Sequence, residues 1–312
     1  MCGLVSVPSR KNNWRKRLLS EKELWFWTIL FIAWWAVFFL MPIYGISYAF
    51  FDYKPGRKLT MDDFVGFKHF IKFFTSRDIG MIIRNTLVLS GLRMTLGFIM
   101  PVILALMLDE LKQGPFKKIV QTISYLPYFV SWVVVASLAI SLLNSDGVIN
   151  EVLMALGLTK KPIGFLTEGS MFWGLRTFLD IWKGIGWDTI LYMSAIAGID
   201  QALYEAGAVD GITRWGSVKY ITIPSLMPTI VLLFILGIGN FLNLGYEQNL
   251  LLGQSTTRDY WEIIDTYVYR YGIQKGRYSF SIAISLLKSV IGLIMVFAAN
   301  KVAKRHSEYS IL

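Results

Sequence analysis

The chain has 312 residues but only one cysteine, Cys2, and two histidines, His69 and His306. One thiol excludes an internal disulfide framework and any cysteine-rich metal site. A lipidated cysteine would follow an apolar segment, and only Met1 precedes Cys2, so this thiol reads as incidental. Two histidines far apart in the sequence, neither with an evident partner, leave no basis for a histidine-centred active site or a metal site. The phosphate-cradling Gly-x-x-x-x-Gly-Lys-Ser/Thr loop is missing too, so the chain is not expected to bind ATP in the usual way. Charge is scarce: Asp, Glu, Lys and Arg make up 17% of the residues, against about a quarter in soluble domains.

What fills the chain instead is apolar. Hydrophobic residues make up 54% and the mean hydropathy is +0.51, concentrated in long runs that a soluble core would not need. With those runs subtracted, no stretch is left to build an independent soluble domain. The formal net charge of +10 would raise nucleic acid as a partner in a soluble chain. Here the cations sit beside apolar runs, at Arg10, Lys11, Arg15, Lys16 and Arg17 and again at Lys301, Lys304 and Arg305. That placement fits lipid headgroups and orientation in a bilayer, not nucleic acid.

Crossing the hydrocarbon core takes about 20 mostly apolar residues, and six segments qualify. They run from about Trp25 to Tyr48, Met81 to Leu108, Val120 to Leu143, Phe172 to Ile199, Pro228 to Leu252 and Phe280 to Val302. The first is too long for a cleavable signal peptide and is expected to stay in the membrane. The sequence therefore predicts an all-α, multi-pass membrane protein with six transmembrane helices. Lys and Arg are dense in both tails and present in the loop Asp109–Lys118, which places the N- and C-termini on the cytoplasmic side. The loop with Lys54, Arg57, Lys58, Lys68 and Lys72 falls outside and runs against that rule. Two outer loops, Val148–Leu158 and Thr256–Tyr271, carry helical spacing of apolar residues.

Between the fourth and fifth spans the pattern breaks. Leu203 to Val209 suits a short helix of small residues, which Gly211 ends in a left-handed conformation. A second amphipathic stretch, Trp215 to Ile223, is expected to stop at Pro224, with Pro228 in the first turn of the fifth span. Small residues at Ala206, Gly207 and Ala208 would let another protein approach closely, and Glu205 and Asp210 offer charges to a basic partner. A plain interfacial connector fits the same pattern equally well.

This stretch resembles the EAA motif of ABC importer permeases: Glu-Ala-Ala, two variable residues, Asp-Gly, then about nine residues to Ile-x-x-Pro. Glu205, Ala206, Asp210, Gly211, Ile221 and Pro224 fall at the motif's positions, and Gly207 and Ile212 stand where alanine is usual. The resemblance extends over most of the chain. It takes in Asn85-Thr86-Leu87, Trp182 to Trp187, Tyr246-Glu247-Gln248, Ile264 to Arg270 and Leu287-Lys288-Ser289, which are most similar to the carbohydrate-uptake branch. It implies the type I permease fold, with a permease domain over about 25–302 (core about 81–302) between basic cytoplasmic tails 1–24 and 303–312. It further implies a coupling loop over about 200–227 that inserts into a cleft of a separate ATPase. Glu205, Ala206, Gly207, Asp210, Gly211 and Pro224 would be the coupling residues. The partners implied are a second homologous permease, two ATPase subunits carrying ATP and Mg, and an external binding protein, lipid-anchored or periplasmic. An oligosaccharide or polysaccharide fragment is the substrate, and the bacterial cytoplasmic membrane the location. No cofactor or enzymatic activity is expected on this chain.

Polar groups inside spans are costly and usually face a bundle interior or a wet cavity. The fourth span holds Arg176, Asp180, Lys183 and Asp188 among Trp182, Trp187 and Tyr192. The fifth offers Asn240, Asn243, Tyr246, Glu247 and Gln248 near Gly237, Gly239 and Gly245. Such a mix suits sugar hydroxyls and the apolar face of a sugar ring. An ion network within the fourth span (Arg176, Asp180 and Lys183 are helix-face neighbours) and plain helix packing in the fifth are the simpler readings. Lys288 is either a cavity cation or a snorkelling helix-end residue. Two rivals remain: a permease for a non-sugar solute and an ion-coupled secondary carrier.

Overall fold

The computed structural model describes residues 22–306, so most of both basic tails, Cys2 included, lies outside the described residues. The described chain is helical; its β structure amounts to one isolated antiparallel bridge between Phe51 and Phe64. In chain order the helices are α1 (Lys22–Phe50), α2 (Lys68–Phe74), α3 (Ile79–Asp109), α4 (Pro115–Tyr125), α5 (Trp132–Leu143), α6 (Val148–Ala155) and α7 (Gly169–Ala197). Then follow α8 (Gln201–Val209), α9 (Arg214–Gly239), α10 (Glu247–Leu252), α11 (Arg258–Trp261), α12 (Ile264–Tyr269) and α13 (Tyr278–His306).

Five helical segments are long and apolar enough to cross a membrane: Lys22–Phe50, Ile79–Asp109, Trp132–Ala155, Arg214–Gly239 and Tyr278–Lys304. The fourth expected span, α7, has 29 residues and is about 43 Å long at 1.5 Å per residue. Its length suffices, but four ionisable side chains in mid-helix, Arg176, Asp180, Lys183 and Asp188, keep it out of that apolar set. Both expected outer-loop helices form, one as α6 and the other as the short pieces α11 and α12.

Three boundaries differ from expectation, and proline accounts for the first two. The third expected span is broken. Pro127 ends α4 in a 3-10 turn (Leu126–Phe129), Val130 is extended, and Ser131 starts α5 by accepting the Val134 N–H. The fifth begins at Arg214 rather than Pro228, because Pro224 does not stop the helix. A π-helical turn over Val218–Thr222 precedes it, with the Ile223 N–H bonded five residues back to the Val218 carbonyl. Proline lacks an N–H and its ring collides with the carbonyl four residues back, so a widened turn just before it removes the conflict. The same device recurs where a π turn over Ala36–Leu40 precedes Pro42 and another over Arg93–Gly97 precedes Pro101. The fifth helix then ends at Gly239, well short of Leu252, and residues 240–246 form a bend in which Gly245 has φ +77°.

The long polar helix α7 is the spine. Ala105, Tyr192, Ile196, Ile199 and Leu226 bury together where α3, α7 and α9 meet. Val135, Ala136, Phe172, Leu179 and Leu252 do the same between α5, α7 and α10. A third cluster of Phe73, Ile82, Tyr267, Phe280 and Ile284 ties α2 and α3 to α12 and α13. Gly186 lets α7 touch the α4 backbone: a Cβ there would lie 2.1 Å from the Ser124 carbonyl oxygen. By contrast, α1 is exposed along its apolar length and joins the body through its last turn. There Ala49 is buried and the following Tyr53 N–H donates to Ser279 Oγ. His69 is buried and bonded to the Phe51 carbonyl, a structural role.

Candidate functional site: a surface helix–turn–helix and two cavities

The 200–228 segment starts with Asp200, whose carboxylate accepts the Ala202 N–H at 3.0 Å and caps α8. The helix ends in a Schellman motif: the Ile212 N–H donates to the Gly207 carbonyl at 2.9 Å and the Gly211 N–H to Ala208 at 3.2 Å. Such an end needs a left-handed residue just past the helix, and Gly211 supplies it with φ +77°. Ile212, Thr213 and α9 then fold back, and Tyr204 Oη meets Thr222 Oγ1 at 2.9 Å inside the π turn. This packing sorts the six coupling candidates. Gly207 is buried against α9, whereas Glu205, Ala206, Asp210, Gly211 and Pro224 are exposed. Val209 is 89% exposed and Trp215 77%, so the outward face is both acidic and apolar.

Of the path candidates, Asp180, Lys183, Trp187, Asp188, Tyr192 and Asn240 line one cavity of about 540 Å³ between α3, α7 and α9. Tyr128 and Trp132, from the broken third span, close its side. The Trp187 indole stacks on the Tyr128 ring with centroids 4.4 Å apart and planes 4° from parallel. Lys183 Nζ donates to the Tyr128 carbonyl at 2.6 Å and lies 5.1 Å from the ring centroid. Trp182 projects elsewhere and does not line this cavity. Asn243 is exposed; its carbonyl accepts from Arg93 Nη1 at 2.9 Å.

Tyr246 belongs to a second cavity of about 720 Å³ between α12, α13 and the end of α1, lined by Tyr269, Asp265 and the serines 281, 285 and 289. Tyr246 stacks on Tyr269 with centroids 4.5 Å apart. Glu247 is exposed at the start of α10, and the Gln248 Oε1 is buried beside Gly245 without a hydrogen-bond donor. The expected single path thus divides into two cavities, with residues 240–246 between them.

That bend is held from both sides. Arg176, fully buried, donates through Nη2 to the Leu244 carbonyl at 3.1 Å, through Nε to Asn249 and through Nη1 to Asp180 at 3.3 Å. On the far side the Asp265 carboxylate accepts the Leu244 and Gly245 N–H groups at 3.0 and 2.9 Å and pairs with Lys288. Lys288 is thus committed to Asp265, which lines the second cavity, and does not itself line either one. The ion network expected around Arg176 exists, while Lys183 turns instead to the aromatic wall.

A further buried network anchors the outer loop. Glu262 binds Arg258 and Arg270, and Arg258 reaches Asp78 at 2.6 Å. Burial works against the Arg258 cation, but hydrogen bonds to Glu262 and Asp78 outweigh it and hold its pKa above the usual arginine value. Asn85 donates to the Asp259 and Glu262 carbonyls, and Thr86 Oγ1 accepts the Ile264 N–H. The segments around Asn85 and Ile264, far apart in sequence, are one contact.

Sequence reasoning missed Arg93, Tyr128 and Trp132. An arginine in an apolar span was a usable signal for the first. The Leu126-Pro127-Tyr128 break was one for the others.

Residues 78–308 match the family described as binding-protein-dependent transport system inner membrane component. The chain is 40% identical to the Bacillus subtilis protein LplB over 305 residues, covering 97% of this chain and 95% of that protein. It is 41% identical to the B. subtilis polygalacturonan/rhamnogalacturonan transport system permease protein YteP, covering 96% and 95%. Among solved structures it is similar to a chain of a bacterial ABC transporter involved in import of the acidic polysaccharide alginate. That likeness has a TM-score of 0.85 and 37% identity, over 95% of this chain and 99% of that one. The chain belongs to the family of inner-membrane components of binding-protein-dependent transport systems.

Proposed function

We propose that this chain is the permease subunit of an ABC importer for an oligosaccharide or polysaccharide fragment. The observation that carries the substrate reading is the cavity lined by the Tyr128–Trp187 stack together with Asp180, Asp188 and Asn240. Aromatic faces suit the C–H face of a sugar ring, and carboxylates and amides satisfy its hydroxyls. The relatives named for polygalacturonan/rhamnogalacturonan and alginate support the same class.

In this reading α7 is a transmembrane helix as well, the fourth of six, its charges turned to the path, and both termini lie in the cytoplasm of a bacterial cell. The α8 face with Glu205 and Ala206 enters a cleft of an ATPase subunit, which holds ATP and Mg. A second, homologous permease completes the path, and a periplasmic or lipid-anchored binding protein delivers the sugar, as in the alginate transporter solved with a pentasaccharide-bound periplasmic protein. Closure of two ATPases pulls the two surface helices together. The difference in their grip between the two states then drives the cavity from inward- to outward-facing.

Reconstitution with these partners in proteoliposomes tests the reading. Oligosaccharide uptake should need ATP inside and persist with an ionophore present. Uptake that survives without ATP and collapses with the ionophore overturns it in favour of an ion-coupled carrier.

A further inference from the structure

Four cations gather on one outer aromatic wall. Lys275 Nζ lies 4.3 Å from the Tyr271 ring centroid, with the Arg270 and Arg277 guanidinium groups at 5.6 and 5.7 Å. Lys72, brought in by α2, sits 5.9 Å from the ring of Phe280, which packs edge-on against Tyr271. Arg270 is spoken for by Glu262 at 2.8 Å. Lys72, Lys275 and Arg277 are exposed, and among the described residues none of them makes an ion pair. A ring face positions a cation without cancelling its charge, whereas a carboxylate would do both. Three held, un-neutralised cations side by side raise one another's energy, and an anionic partner would relieve that.

None of these residues lines either cavity, and the wall's ring faces are covered by the protein's own cations. A sugar has no free platform there, so the surface suits a macromolecule. Lys72 also belongs to the loop whose basic residues run against the orientation rule, so a separate use for charge on that side accounts for it. We infer that Lys72, Lys275 and Arg277 form a docking surface for an acidic face of the solute-binding protein. This rests on the proposed importer reading, which puts α2 and the 270–277 turn outside.

The test uses the complete importer in nanodiscs, with ATP hydrolysis followed as its purified, sugar-loaded binding protein is titrated in. The triple variant Lys72→Glu, Lys275→Glu, Arg277→Glu should raise the half-stimulating concentration roughly tenfold or more at low salt. Glutamine at the same positions should give a smaller rise, and added polyglutamate should compete with the wild type only. Basal hydrolysis should stay the same, which separates the effect from misfolding. An unchanged half-stimulating concentration overturns the docking surface alone. A shift seen in anionic-lipid discs and absent in zwitterionic ones overturns it in favour of headgroup contact. A wild-type importer that no binding protein stimulates overturns the importer reading itself.

Discussion

Gly207 leaves the space that Ile221 fills, with Ile212 in ordinary contact beside it. A Cβ at 207 would lie 3.0 Å from Ile221 Cδ1 and 3.4 Å from Ile212 Cδ1, and Ile212 also fills the gap beside Gly216. Bulk absent from α8 at Gly207 is thus supplied by Ile221 of the π turn, a local exchange of volume.

Their coupling can be measured. Alanine at 207 gains helix propensity of up to about 1 kcal/mol but crowds a filled site, where overpacking costs about 1–3 kcal/mol. Gly207→Ala should therefore lower thermal stability in the wild-type background. It should do less harm, by about 1 kcal/mol, once Ile221→Val has removed the Cδ1 methyl it would press on. A thermal-unfolding double-mutant cycle on the purified protein reads this directly, and additive effects would refute the exchange.

Gly211 and Glu205 should separate transport from hydrolysis. A β-branched residue at 211 must take a φ near +77°, at about 1–2 kcal/mol of strain, so Gly211→Val should distort the turn that presents α8. Glu205 is exposed and makes no side-chain hydrogen bond or ion pair among the described residues. In the reconstituted importer, Gly211→Val and Glu205→Ala should each reduce sugar moved per ATP hydrolysed, with Glu205→Ala leaving the folded yield unchanged. Wild-type stoichiometry in both would remove the coupling role.

Much of this was legible in the sequence, and the failures share a cause. Apolar run length placed α1, α3 and α13, and Gly211 announced the end of α8. Proline misled, because Pro127 broke a span that hydropathy ran straight through, while Pro224 failed to break one. Hydropathy averages cannot see a kinked backbone, and a π turn has no residue signature strong enough to cancel a proline. The path candidates of α7 were recognised as polar groups in the right helix, whereas those expected in the fifth span lie past its end, in the 240–246 bend and at the start of α10. Their division between two cavities depends on the 240–246 bend, fixed by Arg176 and Asp265 from positions 68 and 21 residues away from Leu244. Such long-range hydrogen bonds leave no local pattern.

The Tyr128–Trp187 stack gives the substrate reading a direct measurement. Trp187→Ala removes the platform and leaves the Asp180, Asp188 and Asn240 polar set in place. An aromatic stack is worth about 0.5–1.5 kcal/mol, so the sugar concentration giving half-maximal uptake should rise about two- to tenfold. Basal ATP hydrolysis should be unaffected. Trp182→Ala, outside the cavity, is the control and should leave uptake affinity unchanged; equal effects from the two tryptophans would count against the cavity as the path.

The Asp265–Lys288 pair tests whether the bend between the cavities is held by charge or by shape. Both side chains are largely buried, 15% and 12% exposed, and the carboxylate also holds the Leu244 and Gly245 N–H groups. Removing one member of such a pair strands the other, at a cost of about 3–5 kcal/mol, whereas replacing both with apolar or neutral groups of similar size costs far less. Asp265→Asn should therefore be the severe variant: Lys288 loses its counter-charge, and the one oxygen that now accepts both backbone N–H groups keeps its place but not its negative charge. Lys288→Met should restore much of the lost thermal stability when combined with it. If Lys288→Met gives no rescue, the damage from Asp265→Asn lies in the lost backbone contacts, and the bend is held by hydrogen-bond geometry rather than by the ion pair.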